Sequence, residues 1–265
     1  MCSPMTFFYL WFMFFERIGR WGAALGALLL VCVASCTVKE DRTECPCLLA
    51  VVFDDLPPGP VEYRLETMDG NLLARETVTR DSVYFFKVPR DGVRLSAVSG
   101  ASVLDDLVIP YGSQCPPVYM FCGTFHTNHE YVQIQPILRK QYCLLNIELD
   151  GPPGNGAPLA IGVRGCVGGV SLEGRPVEGL FSYKSDGTLS CRLPRQAPSD
   201  KLLLDIVMED NIVRTFALGT YMREAGFDWT EKDLRDATVS ISLSVTHISF
   251  HIQDWSLTTD MNVEI

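Results

Sequence analysis

From Cys47 onward the apolar residues fall into short runs broken by turn residues. The first series is Leu48–Phe53, Val61–Thr67, Leu72–Val78, Ser82–Val88, Val93–Val98 and Tyr131–Ile137. Between these runs stand Pro57-Pro58-Gly59, Asp69-Gly70-Asn71, Arg80-Asp81 and Arg90-Asp91-Gly92. Short, regularly spaced strands with turn signals between them predict an all-β sandwich or barrel. A second series begins at Gln141–Leu149 and continues through Leu159–Val163, Gly179–Tyr183, Leu189–Leu193, Leu202–Met208 and Ile212–Leu218. Residues Pro136–Lys140 separate the series and predict a linker, which gives β-rich units at 47–138 and 139–265. The turn cluster Gly151-Pro152-Pro153-Gly154-Asn155-Gly156 falls one strand too late to divide them.

The clearest strand has Val239, Ile241, Leu243 and Val245 alternating with Ser240, Ser242, Ser244 and Thr246. That is period two with one apolar face. Beyond it, Ile248, Phe250 and Ile252 continue at even positions, so the faces exchange. A bulge or a tight turn near Thr246-His247 is required. One helix is expected, over about 228–235, because Asp228-Trp229-Thr230-Glu231 has the form of a capping box. A looser helical turn is expected at Tyr221–Ala225.

The first 36 residues follow a different pattern. Arg17 and Arg20 precede an apolar run from Trp21 to Val31, and the segment ends in Val33-Ala34-Ser35-Cys36. A positive end, an apolar stretch and small residues before a cut mark a secretory signal. The run is shorter than the ~20 apolar residues a membrane-spanning helix needs. Its end resembles a bacterial lipobox, in which the cysteine thiol receives a diacylglycerol and becomes the new N-terminus. The expectation is a signal peptide over 1–35 and a lipidated tether over 36–46, with Cys36 as the attachment site. An ordinary signal peptide, or a single anchor helix with a chance cysteine, is the competing reading. The aromatic stretch Thr6–Phe15 is unusual ahead of a basic pair, and a start at Met13 would leave a normal leader.

Charge and cysteine content narrow the function classes. The chain has 32 acidic and 22 basic residues, and the leader carries only Arg17, Arg20 and Glu16 of these, so the mature part is strongly acidic. It has no basic stripe of the kind nucleic acid or anionic lipid requires, which excludes a nucleic-acid partner and leaves membrane attachment to the lipid. The mature cysteines are Cys36, Cys45, Cys47, Cys115, Cys122, Cys143, Cys166 and Cys191. With Cys36 acylated an odd number remains, so at least one thiol is unpaired; the connectivity stays open. His126 and His129 form the one metal-like spacing, but Gly123, Thr124, Thr127 and Asn128 favour a solvated loop and no fourth ligand is in reach. His247 and His251 would share a strand face yet lie apart along it. No nucleophile elbow, phosphate loop or dinucleotide fingerprint is present. No catalytic residue, metal or cofactor is therefore expected, and the chain is read as a non-enzyme.

Lipobox Cys36, the segment Arg42-Thr43-Glu44-Cys45-Pro46-Cys47, the strand Leu48–Phe53, Trp229 and Leu234 before the alternating strand, and the ending Asp254-Trp255 with Val263-Glu264-Ile265 together resemble one family. It is the fimbrial anchor (minor fimbrial subunit) lipoproteins of Bacteroidales, and the resemblance spans nearly all of the mature chain. It implies two tandem transthyretin-like β-sandwiches, palmitate-bearing acylation at Cys36, and a place in the outer membrane facing the cell exterior. It also implies that the chain binds fimbrillin or other fimbrial subunits, tethers the fimbrium, and takes part in assembly and length control. Lys39-Glu40-Asp41 matches the acidic surface-export signal of such lipoproteins as well as it matches a merely solvated tether. The alternative from another class is a surface glycan-binding lipoprotein of a polysaccharide-uptake system. That protein needs exposed aromatic platforms, whereas Trp229 and Trp255, the only tryptophans after cleavage, sit at element ends where core packing is expected.

Overall fold

The computed structural model describes residues 45–101, 105–150, 160–186, 188–198, 201–208, 212–243, 247–253 and 258–264; beyond residue 241, and at 149–150, only the backbone is described. Cys36, the Lys39–Asp41 run, the 151–156 turn cluster, Asp254 and Trp255, and the side chains of His247 and His251 lie outside this set.

The chain is almost entirely β, and residues Pro46–Ile265 form one compact unit. Its first half contains β1 (Cys47–Phe53), β2 (Val61–Thr67), β3 (Leu72–Val78), β4 (Ser82–Val88), β5 (Val93–Ser99), β6 (Leu107–Val108), β7 (Tyr119–Phe125), β8 (Tyr131–Ile134) and β9 (Arg139–Lys140). Two sheets, ordered β4-β1-β8 and β3-β2-β5-β7-β9, face each other. The alternation in the sequence decides what lies between them. Leu49, Val51 and Phe53 of β1 meet Tyr63 and Leu65 of β2 and Leu95 and Ala97 of β5. The rings of Phe53 and Tyr63 lie 5.1 Å apart, and those of Tyr63 and Tyr84 5.6 Å apart. Offset and tilted ring pairs at such distances add to simple burial.

The second half contains β10 (Tyr142–Asp150), β11 (Ala160–Val170), β12 (Pro176–Ser185), β13 (Leu189–Pro194), β14 (Leu203–Val207), β15 (Val213–Phe216), helix α1 (Leu218–Glu224), β16 (Ala237–Leu243), β17 (His247–Gln253) and β18 (Thr258–Glu264). Its sheets are ordered β13-β10-β16-β17-β18 and β12-β11-β14-β15. Cys143, Leu145 and Ile147 of β10 and Val239 and Ile241 of β16 share a second core with Ile161, Val163, Leu204 and Ile206. Leu218 and Met222, one helical turn apart on α1, close the same core. The exchange of faces near Thr246-His247 is a chain reversal: β16 and β17 pair antiparallel, with Val239 opposite Ile252 and Ile241 opposite Phe250.

Three observations tie the halves together. Strand β5 serves both cores, with Leu95 and Ala97 in the first and Val98, on its other face, in the second. β6 pairs with β11 of the second half. The expected linker is instead partly strand, since Lys140 and Arg139 pair with Tyr119 and Met120 of β7. The β6 crossing depends on glycine: a Cβ at Gly169 would lie 2.1 Å from the Leu107 carbonyl oxygen.

The helix expected over 228–235 is not formed. Asp228 Oδ1 accepts from Thr230 N at 2.8 Å and from the Thr230 hydroxyl at 2.7 Å, so the first half of the capping box exists, but it closes a turn. The carbonyls of Trp229, Glu231 and Lys232, which a helix would need as i+4 acceptors, accept from the Arg195 guanidinium instead. Among the described residues the one helix is α1, three residues upstream of the expected loose turn at its start.

Gly169→Ala should lower stability by about 1–3 kcal/mol, as overpacking against backbone does. Gly165→Ala, whose added methyl meets only side-chain atoms, the nearest at 3.3 Å, should cost less. Urea unfolding of both variants checks the order.

Candidate functional site

The junction of the two halves is organised by two buried polar residues. Gln141 is 4% exposed and Arg195 is 7% exposed. Gln141 N donates to the Val118 carbonyl at 3.0 Å, its carbonyl accepts from Arg195 N at 3.1 Å, and its amide nitrogen donates to the Arg139 carbonyl at 3.1 Å. Its amide oxygen accepts from Arg195 Nε at 2.8 Å. Arg195 Nη1 donates to the carbonyls of Trp229 at 2.6 Å and Glu231 at 2.7 Å. Nη2 donates to Lys232 at 3.1 Å and, more weakly, to Lys140 at 3.4 Å. Burial lowers the proton affinity of this guanidinium, while Asp233, Asp228 and Glu231 raise it. Arginine stays charged in proteins, so the carbonyl cradle is what makes the burial tolerable.

Around this pair the 228–236 loop is bolted to β9 and to the start of β10. Arg139 Nη1 meets Asp233 at 2.6 Å, Lys140 N donates to Asp233 at 3.0 Å, and Lys140 Nζ meets Asp236 at 2.5 Å. Asp236 also accepts from Leu144 N at 2.8 Å, one residue before Ala237 pairs with Leu145. On the neighbouring side Arg94 of β5 pairs with Glu173 of the β11–β12 turn. Desolvation raises the Glu173 pKa, but hydrogen bonds from its own backbone N–H and from Ser171, with Arg94 and Arg175, hold it below the ordinary glutamate value.

A groove of about 430 Å³ runs along this junction, lined by Phe121, Cys122, Ile137, Glu173 and Lys232 among others. Several of its charges are paired: Glu173 with Arg94, Arg139 with Asp233 and Glu231 with Arg235. Its chemistry holds two packed halves in one orientation. Cys122 lies in its wall, 3.4 Å from Arg94 Nε and 3.6 Å from the Ser96 hydroxyl.

The expected site residues fall as follows. His126 and His129 lie in the loop between β7 and β8, and among the described residues no group of three or more His, Cys, Asp or Glu is placed to hold a metal. Cys122 is part of strand β7, where it pairs with Ser96 of β5, while Gly123 and Thr124 pair with Leu95 and Arg94. Trp229 is buried and packs edge-on against Phe227, with centroids 4.6 Å apart. Sequence reasoning missed the Gln141–Arg195 pair; each is a lone polar residue beside a strand, and nothing local marks the carbonyls that would meet them. Among the described residues no helix is long and apolar enough to cross a membrane.

Four described cysteines, Cys47, Cys115, Cys143 and Cys191, are buried thiols. Desolvation pushes Cys115 and Cys191 up to about 12 and raises Cys143 and Cys47 as well.

No protein-family model matches the chain, and no curated protein matches it in sequence. Its fold is similar to solved structures. One is the fimbrial anchor protein Mfa2 from Porphyromonas gingivalis, at 11% identity and TM-score 0.56, covering 82% of this chain and 100% of that one. A candidate polysaccharide-binding protein from Bacteroides thetaiotaomicron matches at 10% identity and TM-score 0.59, over 81% of this chain and 98% of that one. A candidate adhesin from Bacteroides ovatus matches at 12% identity and TM-score 0.58, over 85% and 97%. These neighbours thus comprise a fimbrial anchor, a candidate polysaccharide-binding protein and a candidate adhesin, and at this identity the likeness is one of fold.

Two outcomes follow. Arg195→Met should destabilise the chain by about 3–5 kcal/mol, because several buried carbonyls lose their donor at once. Arg195→Lys should not restore it, since an ammonium cannot reach acceptors spread around a planar fork; calorimetric melting of the three proteins checks both. Secondly, iodoacetamide at mildly alkaline pH should spare Cys115, Cys143 and Cys191 in the native chain and modify them after denaturation. Mass mapping of the alkylated peptides decides it.

Proposed function

We propose that this chain is a fimbrial anchor: a protein lipidated at Cys36, held at the outer membrane and facing outward, that binds fimbrial subunits and takes part in fimbrial assembly and length control. In this reading residues 47–138 and 139–265 are its two sandwich domains, and residues 36–46 are the tether. The observation that carries it is a lipobox cysteine standing a few residues ahead of a two-core β-fold that matches a fimbrial anchor over that protein's whole length. The junction supports it too. A part that transmits load between membrane and filament must not hinge, and the two cores here share strand β5, the β6–β11 pairing and the Gln141–Val118 hydrogen bond.

Mechanically the reading needs durable attachment. One buried acyl chain binds a membrane marginally, whereas two or three, at about 0.8 kcal/mol per CH₂, hold for long periods. A second reading, a surface glycan-binding lipoprotein, is favoured by two observations: Phe85, Tyr111 and Tyr131 are exposed and could stack on sugars, and one structural neighbour is a candidate polysaccharide-binding protein. Both readings require the lipid; the anchor reading alone also calls for the close joining of the two cores.

In a strain that makes fimbriae, deleting the gene should move the fimbrial subunit from the cell fraction to the medium, with filaments of unchanged or greater length. A Cys36→Ser strain should lose incorporation of a fatty-acid analogue and release fimbriae in the same way. Firmly attached fimbriae in both strains, with a growth defect on a polysaccharide, would replace this reading with the glycan one.

A further inference from the structure

The sheet β4-β1-β8 has one face in the first core and one turned outward. The outward positions follow from the register: Leu48 pairs with Lys87 and Tyr131, Ala50 with Phe85 and Gln133, and Val52 with Val83. Phe85 is 63% exposed, Val83 51%, Tyr131 50% and Leu48 40%. A contiguous apolar patch of this kind on a soluble surface marks an interaction site. The face also lacks something. In a chain with 32 acidic and 22 basic residues, none of these outward positions is a carboxylate and one, Lys87, is basic.

We propose that this outward face lies against the lipid bilayer that carries the anchor, with Phe85 and Tyr131 at headgroup level and Lys87 reaching the phosphates. The inference rests on the lipid-anchor reading. Two observations choose lipid over a protein partner. Leu48 follows Cys36 by twelve residues in the chain. Even fully extended, that length spans no more than about 43 Å, so this face is always within short reach of the membrane. Its residue types are those of a membrane interface: amphipathic or aromatic rings flanked by aliphatics, with a long basic side chain whose stem packs on the patch while its ammonium stays at the polar layer. A carboxylate-free face is also what an anionic or zwitterionic headgroup layer admits at least cost, whereas the acidic remainder of the surface is repelled from anionic lipid. The acyl chains would then supply retention, and the face would fix the orientation in which the rest of the protein stands on the membrane.

The test separates the face from the acylation. The mature chain, with a histidine tag in place of Cys36, is held on phosphatidylcholine vesicles through a nickel-chelating lipid, so attachment does not depend on acylation. Phe85→Trp and Leu180→Trp are compared; Leu180 is an exposed position on β12. Vesicles with brominated acyl chains should quench most of the added Phe85→Trp emission and shift it to the blue. Leu180→Trp should show no quenching beyond the background of Trp229 and Trp255 in the unsubstituted chain. Equal quenching at the two positions overturns the proposal. Soluble-state melting of both variants verifies the fold. Acyl labelling of Cys36 in cells is scored separately: label without Phe85→Trp quenching keeps the anchor and assigns the face to a protein or sugar partner, while quenching without label keeps the face and removes the acyl anchor.

Discussion

A buried guanidinium organises this molecule. All five N–H donors of Arg195 have an acceptor: three carbonyls of the 229–232 loop, the Lys140 carbonyl and the Gln141 side chain. The charge can be buried only when the end of β13, the start of β10 and the 228–232 loop are all in place, because any missing acceptor leaves a desolvated donor. The loop so positioned delivers Asp236 to the start of β10, and β16 begins at the next residue. The register of β16, and with it of β17 and β18, follows from that one point. The same Gln141 that completes the cradle bonds to Val118 of the first half, so the two cores share one polar fastening.

Strands with one wet face were legible in the sequence to the residue. β2, β3 and β4 have the limits expected from short apolar runs bounded by turn residues. Strands covered on both sides were not. β7 contains Gly123 and Thr124 and sits between β5 and β9 with each face on a different core, so no alternation betrays it. β6 and β9 are two-residue pairings held by distant backbone, and a local pattern cannot contain them. At 228–235 local propensity lost to a tertiary contact: the capping aspartate caps its turn, but the helix is forfeited to Arg195. The candidate site divides the same way. The expected lipidation site, Cys36, rests on its sequence flanks alone and lies outside the described residues. The junction is made by residues far apart in sequence, and its two central members carry no local signature.

The acidic surface, the lipobox and the fastened cores form a consistent mechanical picture. In the proposed anchor, lipid on Cys36 would hold the chain and the two β-rich halves, joined through β5 and the β6–β11 pairing, would carry the load. Such a part has no need of a catalytic centre. Among the described residues the charges are largely spent on one another: Arg94 with Glu173, Arg139 with Asp233, Lys140 with Asp236 and Arg164 with Asp205. Exposed pairs of this sort each contribute little to stability, and here they fix relative placement.

The anchor account makes a statement about position that immunogold electron microscopy can read directly. Antibody to the mature chain, applied to intact cells that bear fimbriae, should place gold at the bases of filaments where they meet the outer membrane. Gold spread over the cell surface with no relation to the filament bases would contradict the account.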